Sequence, residues 1–359
     1  MALGAGSYDI TIGDGVLGGI AEALASACPA ATYAVIADST VAGLFAEQLA
    51  RDVSVYRPCH VITFPAGEWN KSIEEWSGVI DRMIAAGIGR DGAVIALGGG
   101  VTGDLAGFAA ATYLRGIPYV QVPTTLLAMI DSSIGGKTGI DTAHGKNLVG
   151  AFHQPKAVLA DVSTLTGLPP LHLSSGMAEA LKHGAIADAD YFRWIGERQE
   201  AIRSRDAATL VELVRRSVEI KAGVVSEDER ESGMRAVLNF GHTIGHAVET
   251  VGGYQSLHGE AVAIGMVAEA RLGARLGATD REVEVSLVAA AEAFNLPTRI
   301  PDYPAEDLLD VMKRDKKTRA GTVRFALPQR IGTMAQSKPE DWTIEASESS
   351  ILEVLRLMQ

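Results

Sequence analysis

Only two of the 359 residues are cysteine, Cys28 and Cys59, and they lack CxxC spacing. A disulfide framework and a thiolate metal cluster are therefore both excluded. Basic charge is scarce too: 32 Lys and Arg stand against 44 Asp and Glu, for a formal net charge of −12. That balance excludes the broad basic footprint on which non-specific nucleic-acid binding depends, though not a local basic pocket for a small anion. No apolar run approaches the roughly 20 residues that a membrane-spanning helix requires. The segment Met1–Ile10 has no basic stretch followed by an apolar one, so no secretory leader is expected and a cytoplasmic location is. Internal repeats and low-complexity tracts are missing as well. What is present, 47% hydrophobic and 21% charged residues, is the composition of a folded globular protein. The length predicts two domains, because single cores stop growing near roughly 250–300 residues.

Short β-rich runs punctuate the first half. Tyr33–Ile36 leads to Ala37-Asp38-Ser39-Thr40, Val61–Phe64 to Pro65-Ala66-Gly67, and Ala93–Leu97 to Gly98-Gly99-Gly100. Tyr119–Val122 leads to Pro123-Thr124-Thr125, and Ala157–Ala160 to Asp161. Helix-length intervals between such runs predict βα units and a Rossmann-like, largely parallel sheet over residues 1–165. Beyond Leu165 the apolar spacing becomes helical, over 175–199, 207–225, 235–251, 260–276, 282–295 and 305–314. The one late alternating run, Thr322–Leu327, is expected to pair with the segment near Gly332–Met334. Residues 166–359 are thus read as a mostly α-helical domain.

Gly98–Gly103 reads GxGxxG after a predicted strand, a turn that lets backbone approach a pyrophosphate at a helix N-terminus. The acid expected about 20 residues later is missing from Ile117–Thr124, and Asp38 at an earlier strand end is the candidate for a ribose hydroxyl. Further on, His242 and His246 stand four apart on one helix face, His258 follows a Gly252-Gly253 loop, and Glu179 and Lys182 stand three apart. Two imidazoles, one carboxylate and an open position make a catalytic zinc set, with His246 and His183 competing with His242 and His258 for membership. Pro123–Asp141, followed by Gly145–Gly150, is a loop rich in small polar residues at a strand end, hence a ligand crevice. It is no P-loop, since Asp131 stands where GxxxxGK[ST] begins. In so acidic a chain, Lys137, Lys146, Lys182, Lys221, Arg235, Lys316 and Lys317 are candidates to gather around a phosphate and a carboxylate.

These motifs, with Gly67-Glu68-Trp69-Asn70-Lys71-Ser72, Gly145–Gly150, Asn239–Glu249 and His258-Gly259-Glu260, resemble those of the 3-dehydroquinate synthases, within the sugar phosphate cyclases. The resemblance runs from Tyr8 to Gly332. It implies a dehydroquinate synthase-like fold, and conversion of 3-deoxy-D-arabino-heptulosonate 7-phosphate to 3-dehydroquinate and phosphate. It implies zinc, with cobalt as a possible substitute, held by Glu179, His242 and His258, and NAD+ lined by Asp38, Glu68, Lys71, Gly98, Gly99, Gly100, Asp104, Thr124 and Thr125. Asp131, Lys137, Asn147, Lys182 and His246 would be catalytic. Lys146, Lys221, Arg235, Asn239 and one of Lys316 and Lys317, here Lys316, would bind substrate. Arg115 would reach the phosphate in a neighbouring subunit, which implies a homodimer. The rival readings are a sister cyclase acting on sedoheptulose 7-phosphate or glucose 6-phosphate, a metal-dependent alcohol or glycerol dehydrogenase, and a non-catalytic scaffold.

Overall fold

A computed structural model describes residues 1–228, 233–314 and 322–359. It resolves into two compact units, residues 1–168 with 210–218 and residues 169–209 with 219–359.

The first unit is built on six parallel strands: β1 (Asp9–Gly13), β2 (Tyr33–Asp38), β3 (Cys59–Phe64), β4 (Ala93–Gly98), β5 (Tyr119–Pro123) and, after a hairpin, β8 (Ala157–Asp161). Their order is β1-β8-β5-β4-β2-β3. Side chains alternate across a strand, and here both faces are covered. Ala34, Ile36, Val94 and Ala96 pack on one side with Val79, Met83, Leu105 and Phe108 from the helices Ile73–Ala85 and Gly100–Thr112. Tyr33, Val35, Ala37, Ile95 and Leu97 pack on the other with Ile20, Leu24, Leu49 and Val53. Burial on both faces is why these strands read as continuous apolar runs. From β2 the chain moves outward to β3, then returns to place β4 on the opposite side of β2. Asp38 and Gly98, the last residues of β2 and β4, therefore lie at a topological switch point, where open α/β sheets bind ligands.

The stretch expected to be a polar loop is more ordered than its composition suggests. Ala128–Ser132 forms a wide helical turn, and β6 (Lys137–Thr142) pairs with β7 (Gly145–Phe152) as an antiparallel hairpin. Its glycines are structural: an added Cβ at Gly150 would lie 2.1 Å from the Thr138 carbonyl oxygen, so the two strands approach only where both side chains are missing.

The second unit is helical. Pro170–Ala187 and His258–Leu276 are buried nearly all round, as central helices are. The amphipathic helices Arg281–Ala293, Ala305–Arg314 and Glu348–Leu357 belong to the same unit. Two expectations need correction. Residues 235–251 are not one helix: a 3-10 turn, Met234–Asn239, is separated from the helix His242–Val251 by Gly241 at φ +79°. A side chain there would be strained, and its Cβ would stand 2.5 Å from Met266 Cγ. The late strand run pairs elsewhere too: Arg324–Phe325 joins Ile344–Glu345, while Thr333–Met334 joins Pro328–Arg330. The first strand ends at Phe325, and Pro328 opens the next, whose tight turn over Arg330–Thr333 makes a separate hairpin.

Candidate active site

In the first unit the expected cofactor residues gather at the carboxyl ends of β2, β4 and β5. Thr124 N–H donates to the Gly98 carbonyl oxygen at 2.9 Å, and Thr102 Oγ1 donates to Asp38 Oδ2 at 3.2 Å. Asp38 caps the turn after β2, accepting from the backbone of Thr40 and Val41. Gly98 has no room for a side chain, since a Cβ would lie 2.4 Å from Thr102 Oγ1; Gly99 and Gly100 meet Thr125 and Ser132 at 3.3 and 3.1 Å. Beside this turn the Thr124 hydroxyl is buried and has no hydrogen-bond partner among the described residues. An orphaned hydroxyl next to a helix N-terminus fits a polar ligand laid across the turn.

Lys71 and Asp104, both expected along the cofactor, bond to one another at 2.5 Å, and Lys71 Nζ also donates to Asn147 Oδ1 at 2.6 Å. Burial would lower the Lys71 pKa, but Asp104, then Glu68 and Asp141, raise it above its ordinary value. The ammonium ties the turn at Glu68–Asn70, the helix Gly100–Thr112 and the β6–β7 hairpin, and Lys146 adds an ion pair to Glu68 at 3.6 Å. Asp131 lies on the Ala128–Ser132 turn and Lys137 opens β6. Exposed Arg115 ends a tight turn in which Leu114, Arg115 and Gly116 all have positive φ.

In the second unit three helices bring Glu179, His242 and His258 together, with one ligand atom from each within 4.8 Å of the others. Glu179 is fully buried on Pro170–Ala187. Its Oε1 lies 3.3 Å from the Nε2 atoms of His242 and His258 alike, and Lys182 forms an ion pair with its other oxygen. Burial opposes ionisation of Glu179, but Lys182 and His242 hold its pKa well below the usual carboxylate range. Burial, then Lys182, push the pKa of His242 below its ordinary value. Its Nδ1 lies 3.1 Å from the Phe240 carbonyl, which can only accept, so Nδ1 carries the proton and the Nε2 lone pair faces Glu179. Burial would lower His258, yet Glu179 and Glu249 push it up to about 10. Two imidazoles and one carboxylate closing on one point are a donor set that could hold a divalent metal ion.

Glycine contacts seat these helices. A Cβ at Gly265 would fall 1.9 Å from the Gly241 carbonyl oxygen, and one at Gly259 would fall 2.0 Å from that of Ser175. Backbones therefore touch where side chains would hold them apart. Ser175 Oγ accepts from Gly259 N–H at 3.0 Å, and Glu269 accepts from Gly241 and Ile244 N–H at 2.7 and 3.0 Å. Buried Glu269 so caps the helix that begins with His242, a favourable place for a negative charge. His246 is one turn further along, its ring 5.2 Å from that of His242. Lys182, His183, Lys221 and Arg235 are buried, and Asn239 closes the Met234–Asn239 turn. Lys316 and Lys317 lie outside the described residues.

Sequence reasoning assigned no role to Glu249 or Glu269. The signal for Glu269 is an acid alone in the apolar run Ala261–Ala270, and that for Glu249 is its position one turn beyond His246.

This fold is that of sugar phosphate cyclases of known structure. The fold matches 2-deoxy-scyllo-inosose synthase in complex with carbaglucose-6-phosphate, NAD+ and Co2+, with a TM-score of 0.90 at 28% identity, over 98% of this chain and 96% of that one. It also matches 2-epi-5-epi-valiolone synthase from Streptomyces hygroscopicus subsp. jinggangensis with NAD+ and Zn2+ bound, with a TM-score of 0.88 at 30% identity, over 100% and 98% of the two chains. Within that class the chain belongs to the 3-dehydroquinate synthase family, whose N-terminal model matches residues 61–175 and whose C-terminal model matches residues 176–318. The 3-dehydroquinate synthase of Acidithiobacillus ferrooxidans is 47% identical over 92% of this chain and 91% of its own length. That of Citrifermentans bemidjiense is 46% identical over 95% of each.

Proposed function

We propose that this chain converts 3-deoxy-D-arabino-heptulosonate 7-phosphate to 3-dehydroquinate and phosphate, with NAD+ and a divalent metal, in the shikimate route to aromatic amino acids. The observation that carries the reading is the closure of Glu179, His242 and His258 on one point in a chain of this family. Glu179, His242 and His258 would hold zinc or cobalt; Asp38, Glu68, Lys71, Gly98, Gly99, Gly100, Asp104, Thr124 and Thr125 would hold the dinucleotide. When bound, the metal would supply Lewis-acid polarisation of a substrate hydroxyl, and the nicotinamide would supply a transient hydride acceptor within one turnover.

The remaining roles belong to side chains. Lys182, Lys221 and Arg235, cations in an acidic protein, offset the charge of carboxylate and phosphate and the charge that develops as phosphate leaves. His246 moves a proton at an imidazole nitrogen, and Asn147 orients the substrate, with Asp131, Lys137, Lys146 and Asn239 beside it and one of Lys316 and Lys317 at its anionic end. Arg115, on a rigid turn and exposed, is assigned to the phosphate bound by a second copy in a homodimer. No helix among the described residues is long and apolar enough to cross a membrane. The location proposed is the cytoplasm.

Turnover of purified protein with NAD+ and zinc, following phosphate and NADH together, tests the assignment. Stoichiometric phosphate from the heptulosonate phosphate, abolished by a chelator and without net NADH, is the expected result. Release from sedoheptulose 7-phosphate alone would move the chain to a sister cyclase. Net NADH without phosphate would defeat cyclase chemistry altogether.

A further inference from the structure

His258 has a carboxylate at each ring nitrogen. Nε2 lies 3.3 Å from Glu179 Oε1, and Nδ1 lies 3.3 Å from Glu249 Oε2. Glu179 groups with His242 and His258, whereas Glu249 approaches the other side of the ring from the helix His242–Val251 and groups with His246 and His258. It is 2% exposed, and an acid so buried needs a partner to offset lost hydration. Its place is not adjustable. A Cβ at Gly245 would stand 2.9 Å from the Ala261 carbonyl oxygen, so the helix bearing Glu249 lies directly on the helix bearing His258. Tyr254 N–H bonds the Glu249 carbonyl at 2.8 Å, fixing the end of that helix.

We infer that Glu249 is a positioning residue for the metal centre: by accepting the Nδ1 proton of His258 it fixes the tautomer and ring plane that turn Nε2 toward Glu179. A carboxylate against the outer nitrogen of a metal-binding histidine does this in general, and its loss typically weakens metal affinity roughly 10–100-fold. The inference rests on Glu179, His242 and His258 being the ligands. In this role Glu249 acts through His258 and is not itself a ligand of the ion.

The test is Co2+ binding to the full chain by chelator competition, with the visible spectrum of the bound ion, for the wild type, Glu249→Ala, Glu249→Gln, Glu249→Asp and His258→Ala. Glu249→Ala is expected to bind Co2+ roughly 10–100-fold more weakly, with an altered spectrum. Glu249→Gln, which keeps an acceptor oxygen at the same reach, should retain most of the affinity and a spectrum close to wild type. Glu249→Asp, which keeps the charge but withdraws the oxygen, should lose more than Gln. That order decides the matter even if the alanine variant does not fold. Unchanged affinity and spectrum in Glu249→Ala, with only a lower melting temperature, would reduce Glu249 to a structural ion pair and overturn the inference. So would the reverse order of Gln and Asp. His246, Glu249 and His258 also have ligand atoms within 4.8 Å of one another, so two bound equivalents of Co2+, one lost on Glu249→Gln, would make Glu249 a ligand instead. Wild-type affinity in His258→Ala would defeat the ligand assignment itself, whereas loss there with none in the Glu249 variants defeats only this inference.

Discussion

His246 shares a helix with His242, and the set proposed above, Glu179, His242 and His258, does not include it. If it works as an acid–base group, His246→Ala should lose on the order of 10²–10⁴ in rate while bound metal, measured by elemental analysis, stays at wild-type stoichiometry. Equal loss of metal would make it a ligand. A second histidine sets an acid limit on the first unit. His153 is half-buried against Tyr119, and its Nε2 lies 2.9 Å from the Ile117 carbonyl. Burial lowers its pKa below 6.5. The unfolded chain then binds the proton first, so folding free energy falls as pH drops below about 6.5 and levels off only below the folded pKa. Denaturation midpoints at pH 7.5, 6 and 5 should decline for the wild type and decline less for His153→Gln. At this scale the sequence spoke unevenly. His242 and His246 are visible as a pair because helical periodicity is visible, but the approach of Glu179 to His242 and of Glu249 to His258 joins residues of different helices, which no spacing reveals.

Elements were legible where burial is symmetric. β2, β4 and β5 are covered on both faces, so their residues read as unbroken apolar runs and the parallel sheet follows. The β6–β7 hairpin was not, because its outer strand exposes Leu148, Val149 and Phe152, and its close pairing depends on Gly139 and Gly150, which read as loop residues. The break at Gly241 was missed for a similar reason: glycine inside helical spacing is silent until a neighbour such as Met266 shows why nothing larger fits. Glycine contacts of this kind give a direct prediction. Gly265→Ala would press a methyl group on the Gly241 carbonyl, so it should cost ~1–3 kcal/mol in stability and also weaken metal binding, because the strand of contacts it breaks holds His242. Equilibrium unfolding with a parallel metal titration checks both. In the first unit, Lys71→Met leaves the Asp104 carboxylate without its ammonium. The cost should approach the lower end of ~3–5 kcal/mol, since Asp104 keeps 19% exposure, and denaturant unfolding of the full chain should register it.

At the scale of the whole molecule, an ion that binds only the folded state adds stability by mass action, ~2.7 kcal/mol when free metal stands at 100 times its dissociation constant. Zinc or cobalt should therefore raise the melting temperature of chelator-treated protein, and Glu179→Gln should abolish the rise. A melting temperature indifferent to metal in the wild type would contradict the centre proposed here. Two compact units also make a single melting temperature an incomplete description, and calorimetry is the appropriate instrument.

The ligand helices are seated by backbone against backbone at Gly241, Gly245, Gly259 and Gly265, contacts that owe nothing to an ion. The chain thus shapes its socket before anything occupies it. An ion can enter late, leave, and be replaced without refolding, so an emptied preparation should regain activity on simple addition of metal. Divalent ions compete for nitrogen and oxygen donors in an order that the protein does little to alter. If this socket holds the ion proposed above, its occupant in a growing cell would follow supply as well as donor type, and metal starvation would silence the protein without destroying it.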